Sequence, residues 1–267
     1  MQTYILKALW GMDDRLPIEE RLRAIKDAGY DGVEHAFTDP FRVRDLCQEL
    51  GLVHIPMIFA NTIEDFTKTL EIVRPSAPLL VTSHTGRDRM TFQEGCAFLE
   101  RALAAEAEAG IVVAHETHRS RLFYSPWSTG PYLERFPALK LLADFSHWCV
   151  VCESNLDSAA EIVDLACSRT IHIHGRVGYE EGPQVSDPRA PEYAPYVERF
   201  EGWWDKIRER RIAAGAEFLP FTPEYGPPGY LHTLPYTRQP VANLWDICLW
   251  AADRARKRWN LPPAKAA

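Results

Sequence analysis

The stretch AGIVVAHETHRSR, residues 109–121, contains the features that decide the fold. Residues 102–109, which lead into it, are almost all helix formers, and Gly110 is suited to end that helix. Residues 111–116 then form a short apolar run of the length expected for a buried strand. The run ends in a cluster of polar side chains that begins at His115. A helix, a buried strand and a polar strand end in direct succession are typical of a parallel α/β unit.

The same alternation recurs along the whole chain. Apolar runs predict seven further strands, over residues 3–9, 32–36, 52–59, 79–83, 139–145, 170–174 and 217–222. Helical patterns predict helices over residues 17–28, 40–50, 62–73, 91–109, 154–167, 196–214 and 240–258, and five of these seven have Pro near the start or Gly after the end. Eight strands that alternate with helices indicate βαβ units and an α/β fold with parallel strands.

A single (β/α)8 barrel fits the chain length, because 267 residues is close to the roughly 250 that such barrels need. A doubly wound open sheet is the competing arrangement, and a Gly-rich phosphate loop after the first strand would favour it. Residues 9–17 read LWGMDDRLP, with neither a G-x-G-x-x-G pattern nor a Walker sequence. We therefore predict one TIM-barrel domain over residues 1–267, with a long loop over residues 177–195 after strand seven.

Composition argues against several classes of protein. The chain has 30 Lys and Arg against 37 Asp and Glu, a net charge of −7, which disfavours nucleic acid and anionic membranes as partners. No apolar run approaches the ~18–20 residues that a membrane span needs. The first residues predict a strand and lack the features of a signal peptide. The six cysteines are scattered and do not form a disulfide framework, so the expected location is the cytoplasm.

Carboxylates and an imidazole end four consecutive predicted strands, the fifth to the eighth. These residues are Glu116, Asp144, His174 and Glu224. Their separations are 28, 30 and 50 residues, which correspond to one βα unit, a second unit, and a third unit with the long loop added. Since the carboxyl ends of barrel strands share one rim, the four side chains can converge. Oxygen ligands with one imidazole suit Mn²⁺, Mg²⁺, Co²⁺ or Zn²⁺.

Other polar and aromatic residues fall near the same rim. His118 shares a side with Glu116 if strand five continues. Arg119 could bind an anionic group of a substrate or only face solvent. Glu34, at the end of strand two, is equally compatible with a contact to the substrate or to a residue that holds the metal, and with a simple ion pair.

Two tryptophans, Trp10 and Trp148, are candidates to stack on a sugar face. We also expect His172 and His174 to face opposite sides of the sheet, which would make His172 a structural histidine.

The four strand ends, together with GYDGVE at residues 29–34, resemble the sugar phosphate isomerase/epimerase superfamily of xylose isomerase-like TIM barrels. The Glu of strand five, the D-x-x-H of strand six, the H-x-H of strand seven and the Glu of strand eight follow in the family's order. The resemblance spans nearly the whole chain. It implies that Glu116, Asp144, His174 and Glu224 hold one divalent metal ion and that His147 contacts the substrate.

The resemblance also implies catalytic roles. In the family's epimerases the two metal-bound glutamates act as acid and base, which would be Glu116 and Glu224 here. Those epimerases carry a substrate-binding arginine a few residues after the histidine of strand seven. This chain has Glu180 at the matching spacing, so Arg176 or Arg189 could take that role.

The function expected from these residues is that of a divalent-metal-dependent isomerase or epimerase of a sugar, polyol or keto acid, which removes a proton next to a carbonyl to give an enediolate. Loss of a β-hydroxyl would instead make the enzyme a dehydratase of the inosose or dehydroshikimate kind. An endonuclease-IV-like phosphodiesterase is disfavoured by the acidic charge, and a non-catalytic sugar-binding barrel is a further alternative. The expected partner is a small-molecule sugar or polyol, and tryptophans near the C-terminus leave a homo-oligomer open.

Overall fold

The computed structural model describes residues 1–264. Within them, eight parallel strands close into a barrel in chain order, with the first strand paired to the last. The strands are β1 Gln2–Ala8, β2 Gly32–His35, β3 Val53–Ala60, β4 Val81–Thr85, β5 Val113–Glu116, β6 Leu141–Ala143, β7 Thr170–His174 and β8 Phe218–Thr222. The predicted (β/α)8 fold is confirmed, and every strand was placed to within two residues of each end.

Nine α-helices surround the barrel in the described part of the chain. They are α1 Ile18–Asp27, α2 Pro40–Leu50, α3 Ile63–Val73, α4 Phe92–Ala109, α5 Pro126–Arg135, α6 Phe145–Val151, α7 Ala160–Arg169, α8 Ala194–Ala213 and α9 Leu244–Arg258. Helices α5 and α6 were not predicted. Helix α5 carries Pro131 in its interior, which in a sequence argues against a helix.

Helix α6 begins where a strand was predicted to continue. Strand β6 ends at Ala143 because Asp144 caps the next helix and accepts a hydrogen bond from the Ser146 backbone N–H at 3.2 Å. The apolar residues that follow, FSHWCVV, therefore belong to a buried helix and not to a strand. This cap places His147 in the first turn of α6, directly beside Asp144.

The side chains of each strand alternate between the barrel interior and the layer beneath the helices. Leu6, Ile55, Ala114 and Leu142 come from four different strands and still pack in one buried cluster, as only a barrel interior allows. The interior is thus filled by apolar residues at its lower end. Two positions beyond Ala114 and Leu142 the polar residues Glu116 and Asp144 follow, and they belong to the floor of the upper rim.

Two long segments cover one side of that rim. The predicted loop after β7 runs to α8 and contains a short 3₁₀ turn, Pro191–Tyr193. Two hydrogen bonds between Gln184 and Gly226 connect this loop to the segment after β8. The Gly226 N–H donates to Gln184 Oε1 at 2.7 Å, and Gln184 Nε2 donates to the Gly226 carbonyl at 3.3 Å. Among residues 1–264 there is no helix with the length and apolarity that crossing a membrane requires.

Candidate metal centre and cleft

The four polar strand ends converge at the upper rim of the barrel. Glu116, Asp144, His174 and Glu224 are buried, and their potential ligand atoms all lie within 4.8 Å of one another. His174 Nδ1 is at the centre of this group, 3.1 Å from Glu224 Oε2, 3.5 Å from Glu116 Oε1 and 3.8 Å from Asp144 Oδ2. The structure therefore brings together the four residues that the sequence suggested as metal ligands.

The tautomer of His174 is fixed from behind by Glu34. His174 Nε2 lies 2.9 Å from Glu34 Oε2, and since a carboxylate only accepts hydrogen bonds, Nε2 carries the proton. The other oxygen of Glu34 accepts a hydrogen bond from Thr82 at 2.9 Å. Nδ1 is consequently turned toward the three carboxylates, and it has no hydrogen-bond partner in the part of the chain that is described.

A nitrogen lone pair and three buried carboxylates facing one another repel unless a cation lies between them. A proton can supply part of that charge: burial acts to lower the pKa of His174, but Glu224 and Glu34 raise it well above its ordinary value. A divalent cation would supply the charge more fully, and one imidazole with three carboxylates is a suitable set of ligands for it. The residues present thus fit a divalent metal ion.

Glu34 pairs with His174, which is itself one of the four candidate metal ligands. The sequence had left the role of Glu34 open. Its side chain is 2% exposed and lies 3.9 Å from His172 Nε2 as well as close to His174. Burial acts to raise the pKa of Glu34, but His174 and His172 lower it to about 2. A carboxylate that orients a metal-binding imidazole in this way also raises its basicity.

The expectation that His172 and His174 face opposite sides of the sheet is wrong. Residues two apart on a strand share a face, and both rings lie inside the barrel with their centroids 5.3 Å apart. His172 is the deeper of the two and bonds to Thr222 Oγ1 at 2.9 Å. It remains structural in character, although it belongs to the interior.

Arg176 is the arginine after strand seven that reaches the site. Its buried guanidinium donates to the Asp144 carboxylate, to the Glu224 backbone carbonyl at 3.2 Å and to His147 Nε2 at 2.9 Å. Arg189 instead pairs with Asp187 in the loop at 2.7 Å. Arg176 therefore balances part of the carboxylate charge while it lines the floor of the cleft.

Three histidines extend the site along one wall. His84 Nε2 lies 2.6 Å from Glu116 Oε2, the His84 and His118 rings are 4.3 Å apart, and the His118 and His147 rings are 3.9 Å apart. His84 and His118 line the cleft, whereas His147 is fully buried behind them. Burial lowers the pKa of His118 to about 4, so its imidazole is neutral at pH 7.

The sequence did not point to His84, at the end of strand four, because the motifs of the resemblance begin at strand five. The contact with Glu116 depends on the adjacent placement of β4 and β5 in the barrel. Its position could have indicated a role, because it lies at the end of the strand that neighbours the strand of Glu116.

The cleft above these residues has a volume of about 980 Å³. Trp10, as expected, lies at its mouth, 39% exposed and edge-on to Tyr230 at 5.0 Å. Arg119 packs over the Tyr230 ring at 4.9 Å and supports this wall from behind. Trp148 does not reach the cleft: it is buried in the core and donates to the Phe123 carbonyl at 2.8 Å.

Comparisons with known proteins locate the fold. No protein-family model matches the chain, and no curated protein matches its sequence. Solved structures do match it along nearly its whole length, at 11–17% identity and with TM-scores of 0.59–0.61. At such identities the likeness concerns the fold alone.

Three of these structures illustrate the likeness. A xylose isomerase-like TIM barrel protein from Mycobacterium smegmatis in complex with magnesium has a TM-score of 0.61 at 12% identity, covering 95% of this chain and 96% of that one. A sugar phosphate isomerase/epimerase from Parabacteroides distasonis has 0.59 at 11%, covering 94% and 92%. A probable 3-DHS dehydratase from Bacillus anthracis has 0.60 at 17%, covering 97% and 100%. The predicted likeness to xylose isomerase-like barrels is confirmed at the level of the fold.

Proposed function

We propose that this protein is a divalent-metal-dependent enzyme of the xylose isomerase-like class that moves a proton next to the carbonyl of a sugar or polyol. The observation that carries the proposal is the orientation of His174. His174 Nε2 donates to Glu34 Oε2, 2.9 Å away. His174 Nδ1 is therefore directed at the carboxylate oxygens of Glu116, Asp144 and Glu224, at distances of 3.1 to 3.8 Å. One imidazole nitrogen and three carboxylates that face one another in this way form a suitable set of ligands for a divalent cation.

The proposed ligands are Glu116, Asp144, His174 and Glu224. When bound there, a divalent ion would act as a Lewis acid on a substrate carbonyl and an adjacent hydroxyl, which lowers the cost of removing the neighbouring proton. Glu116 and Glu224 both line the cleft, so both can reach a substrate.

The two glutamates are suited to opposite proton-transfer roles. Burial acts to raise the pKa of Glu116, but His84 and His118 hold it well below its ordinary value. Burial raises the pKa of Glu224, with His174 and Arg176 acting against it. Environments that push two carboxyl groups apart in this way assign one as base and the other as acid. In the proposed reaction Glu116 therefore removes the proton and Glu224 returns one.

A dehydratase is the second candidate function, and His118 is the observation that favours it. Its Nδ1 donates to the Arg119 backbone carbonyl, which leaves Nε2 as an unprotonated base on a residue that lines the cleft. This base is additional to the two glutamates. In a dehydratase His118 would remove the proton next to the carbonyl, and Glu224, whose pKa burial raises, would protonate the departing β-hydroxyl so that it leaves as water.

Two measurements test the proposal. Metal analysis of the purified protein is expected to give one divalent ion per chain, and Glu116→Gln and Glu224→Gln are expected to weaken its binding. Incubation of the loaded enzyme with ketoses, inososes and 2-keto acids in D₂O is expected to place deuterium at a carbon next to the carbonyl of one of them. A wild-type protein that takes up no divalent ion under any loading condition would contradict the assignment of the site.

Proton exchange distinguishes the two candidate reactions once the metal is bound. Exchange without loss of water indicates an isomerase or epimerase, and formation of an unsaturated product indicates a dehydratase. A metal-loaded protein that binds a sugar but exchanges no proton would instead favour the sugar-binding barrel.

A further inference from the structure

Phe37 is the feature of the cleft that the metal site does not explain. It lies in the turn between β2 and α2, its side chain is 90% exposed, and its backbone is left-handed with φ of 56°. Such a backbone is unfavourable for a bulky side chain, and an exposed ring contributes little burial in return. The ring nevertheless lines the cleft.

The turn holds Phe37 in this position from both sides. On one side His35 Nδ1 bonds to Thr38 Oγ1 at 2.7 Å. On the other, Asp39 caps α2 and accepts from the Phe41 backbone N–H at 2.9 Å. The presented ring is therefore part of an ordered turn whose own hydrogen bonds are complete.

A row of aromatic rings leads from Phe37 to the metal centre. Phe37 stacks on Phe59 with ring centroids 4.7 Å apart and planes at 15°. Phe59 meets the His84 ring at 4.6 Å, and His84 contacts Glu116 at 2.6 Å. The two ring-to-ring steps are each about the width of one six-membered ring, so a single sugar ring at Glu116 reaches His84 and does not extend to Phe37.

The outer half of the cleft also has polar groups suited to a second ring. Asp13, Asp14, Arg21 and Thr38 line it together with Phe37, and Arg21 Nε is buried with no hydrogen-bond partner among residues 1–264. Stacking surfaces edged by hydrogen-bonding groups match the apolar face and the hydroxyl rim of a sugar. Arg15 also lines this end and pairs with Asp13 at 2.6 Å. Two arginines against two aspartates leave the end without net charge, which suits an uncharged ring.

We propose that the substrate carries two rings: a reacting keto or polyol end at Glu116 and Glu224, and an uncharged glycosyl group that stacks on the exposed ring of Phe37. This assignment rests on the proposed function for the position of the reacting end. The cleft volume of about 980 Å³ lies at the upper end of the range of small-molecule sites, which leaves room for more than one sugar ring. The substrate class is thus a glycoside or disaccharide and not a free monosaccharide.

The test compares the binding of D-fructose with that of lactulose and maltulose, two disaccharides whose keto end is fructose. Calorimetric titration of the Mn²⁺-loaded full chain is expected to give at least one disaccharide about 10-fold tighter than fructose. Phe37→Ala is expected to bring that ratio to within about 2-fold while metal content and fructose affinity stay unchanged. Phe41→Ala is the matched control, because Phe41 is also an exposed aromatic, 39% exposed, but lies on α2 outside the cleft lining.

Equal affinity for fructose and both disaccharides, or no binding of either disaccharide, overturns the proposal. A disaccharide preference that survives Phe37→Ala also overturns it, as does a change of oligomeric state on sedimentation in place of a change in binding. Because binding is measured without turnover, a disaccharide preference in a protein that exchanges no proton would uphold the second ring and reject the proposed reaction.

Discussion

Two pairs of consecutive residues, Glu34–His35 on β2 and His115–Glu116 on β5, show that neighbouring residues on one strand serve different purposes. One residue of each pair belongs to the candidate site, and the other belongs to the layer between the barrel and the helices. In each pair the glutamate faces the barrel interior and the histidine faces the helices. Glu34 orients His174, and Glu116 is one of the four converging residues.

In each outer histidine both ring nitrogens have a hydrogen-bond partner. His35 bonds to Thr38 at 2.7 Å and to His54 at 3.3 Å. His115 bonds to Thr85 at 2.6 Å and to Glu106 at 2.9 Å. The inner group, by contrast, leaves His174 Nδ1 without a hydrogen-bond partner within the described residues. Buried polar groups that stay unsatisfied mark the face where a ligand belongs.

The sharpest test of this contrast replaces one histidine from each face. His174→Gln is expected to abolish binding of the divalent ion and with it all activity, because the central nitrogen ligand is lost. His115→Gln is expected to keep metal and activity but to lower the free energy of unfolding by about 1–3 kcal/mol, since it breaks buried hydrogen bonds. Metal titration and denaturant unfolding of both variants measure this. Retention of the metal by His174→Gln would remove the basis of the site.

Glu34→Gln should have the next largest effect. The amide cannot accept the His174 Nε2 proton with the strength of a carboxylate, so metal affinity is expected to fall about 10- to 100-fold. Thr82→Val is the matched control: it removes only the hydrogen bond to the other oxygen of Glu34 and should cost a few-fold at most. Equal affinities of wild type and Glu34→Gln, measured by competition with a chelator, would show that Glu34 has no role in orienting the ligand.

The fold and the four converging residues could be predicted because their signals are local in the sequence. Apolar runs bounded by Gly and Pro define the strands, and a polar residue at each strand end defines the rim. Helix α6 escaped prediction because the apolar run from Leu141 to Val151 continues through Asp144, and only the capping hydrogen bond shows where the strand ends.

The role of Glu34 could not be predicted, because its partner His174 is 140 positions away and meets it only when the barrel closes. Phe37 and Tyr230 belong to irregular segments, where no periodicity indicates which way a side chain points. The error over His172 has a simpler origin, since the strand period of two already places it on the face of His174.

The outer histidine of the first pair predicts a pH dependence of stability. Burial lowers the pKa of His35 to about 3 from an ordinary 6.5, so the folded state resists protonation that the unfolded state accepts. The contribution of neutral His35 to the free energy of unfolding is fully present above pH 6.5 and declines as the pH falls toward 3. Between pH 7.5 and pH 5 it falls by about 2 kcal/mol. The difference in unfolding free energy between wild type and His35→Gln should shrink by that amount. A difference that is constant between the two pH values would contradict it.

The smallest expected effect on metal binding is that of Gln184, which contacts the backbone of the segment that carries Glu224. Its side-chain amide holds both the N–H and the carbonyl of Gly226, two residues after Glu224, so it fixes the segment that carries this glutamate. Gln184→Ala leaves these buried groups unpaired and should weaken metal binding about 3-fold, with about 1–3 kcal/mol lost from stability. Ser186→Ala, which removes a hydrogen bond to His232 at 2.6 Å in the same loop, is expected to leave metal binding unchanged. If Gln184→Ala is destabilised but binds metal as the wild type does, the loop after β7 supports the fold alone and the position of Glu224 is set by β8.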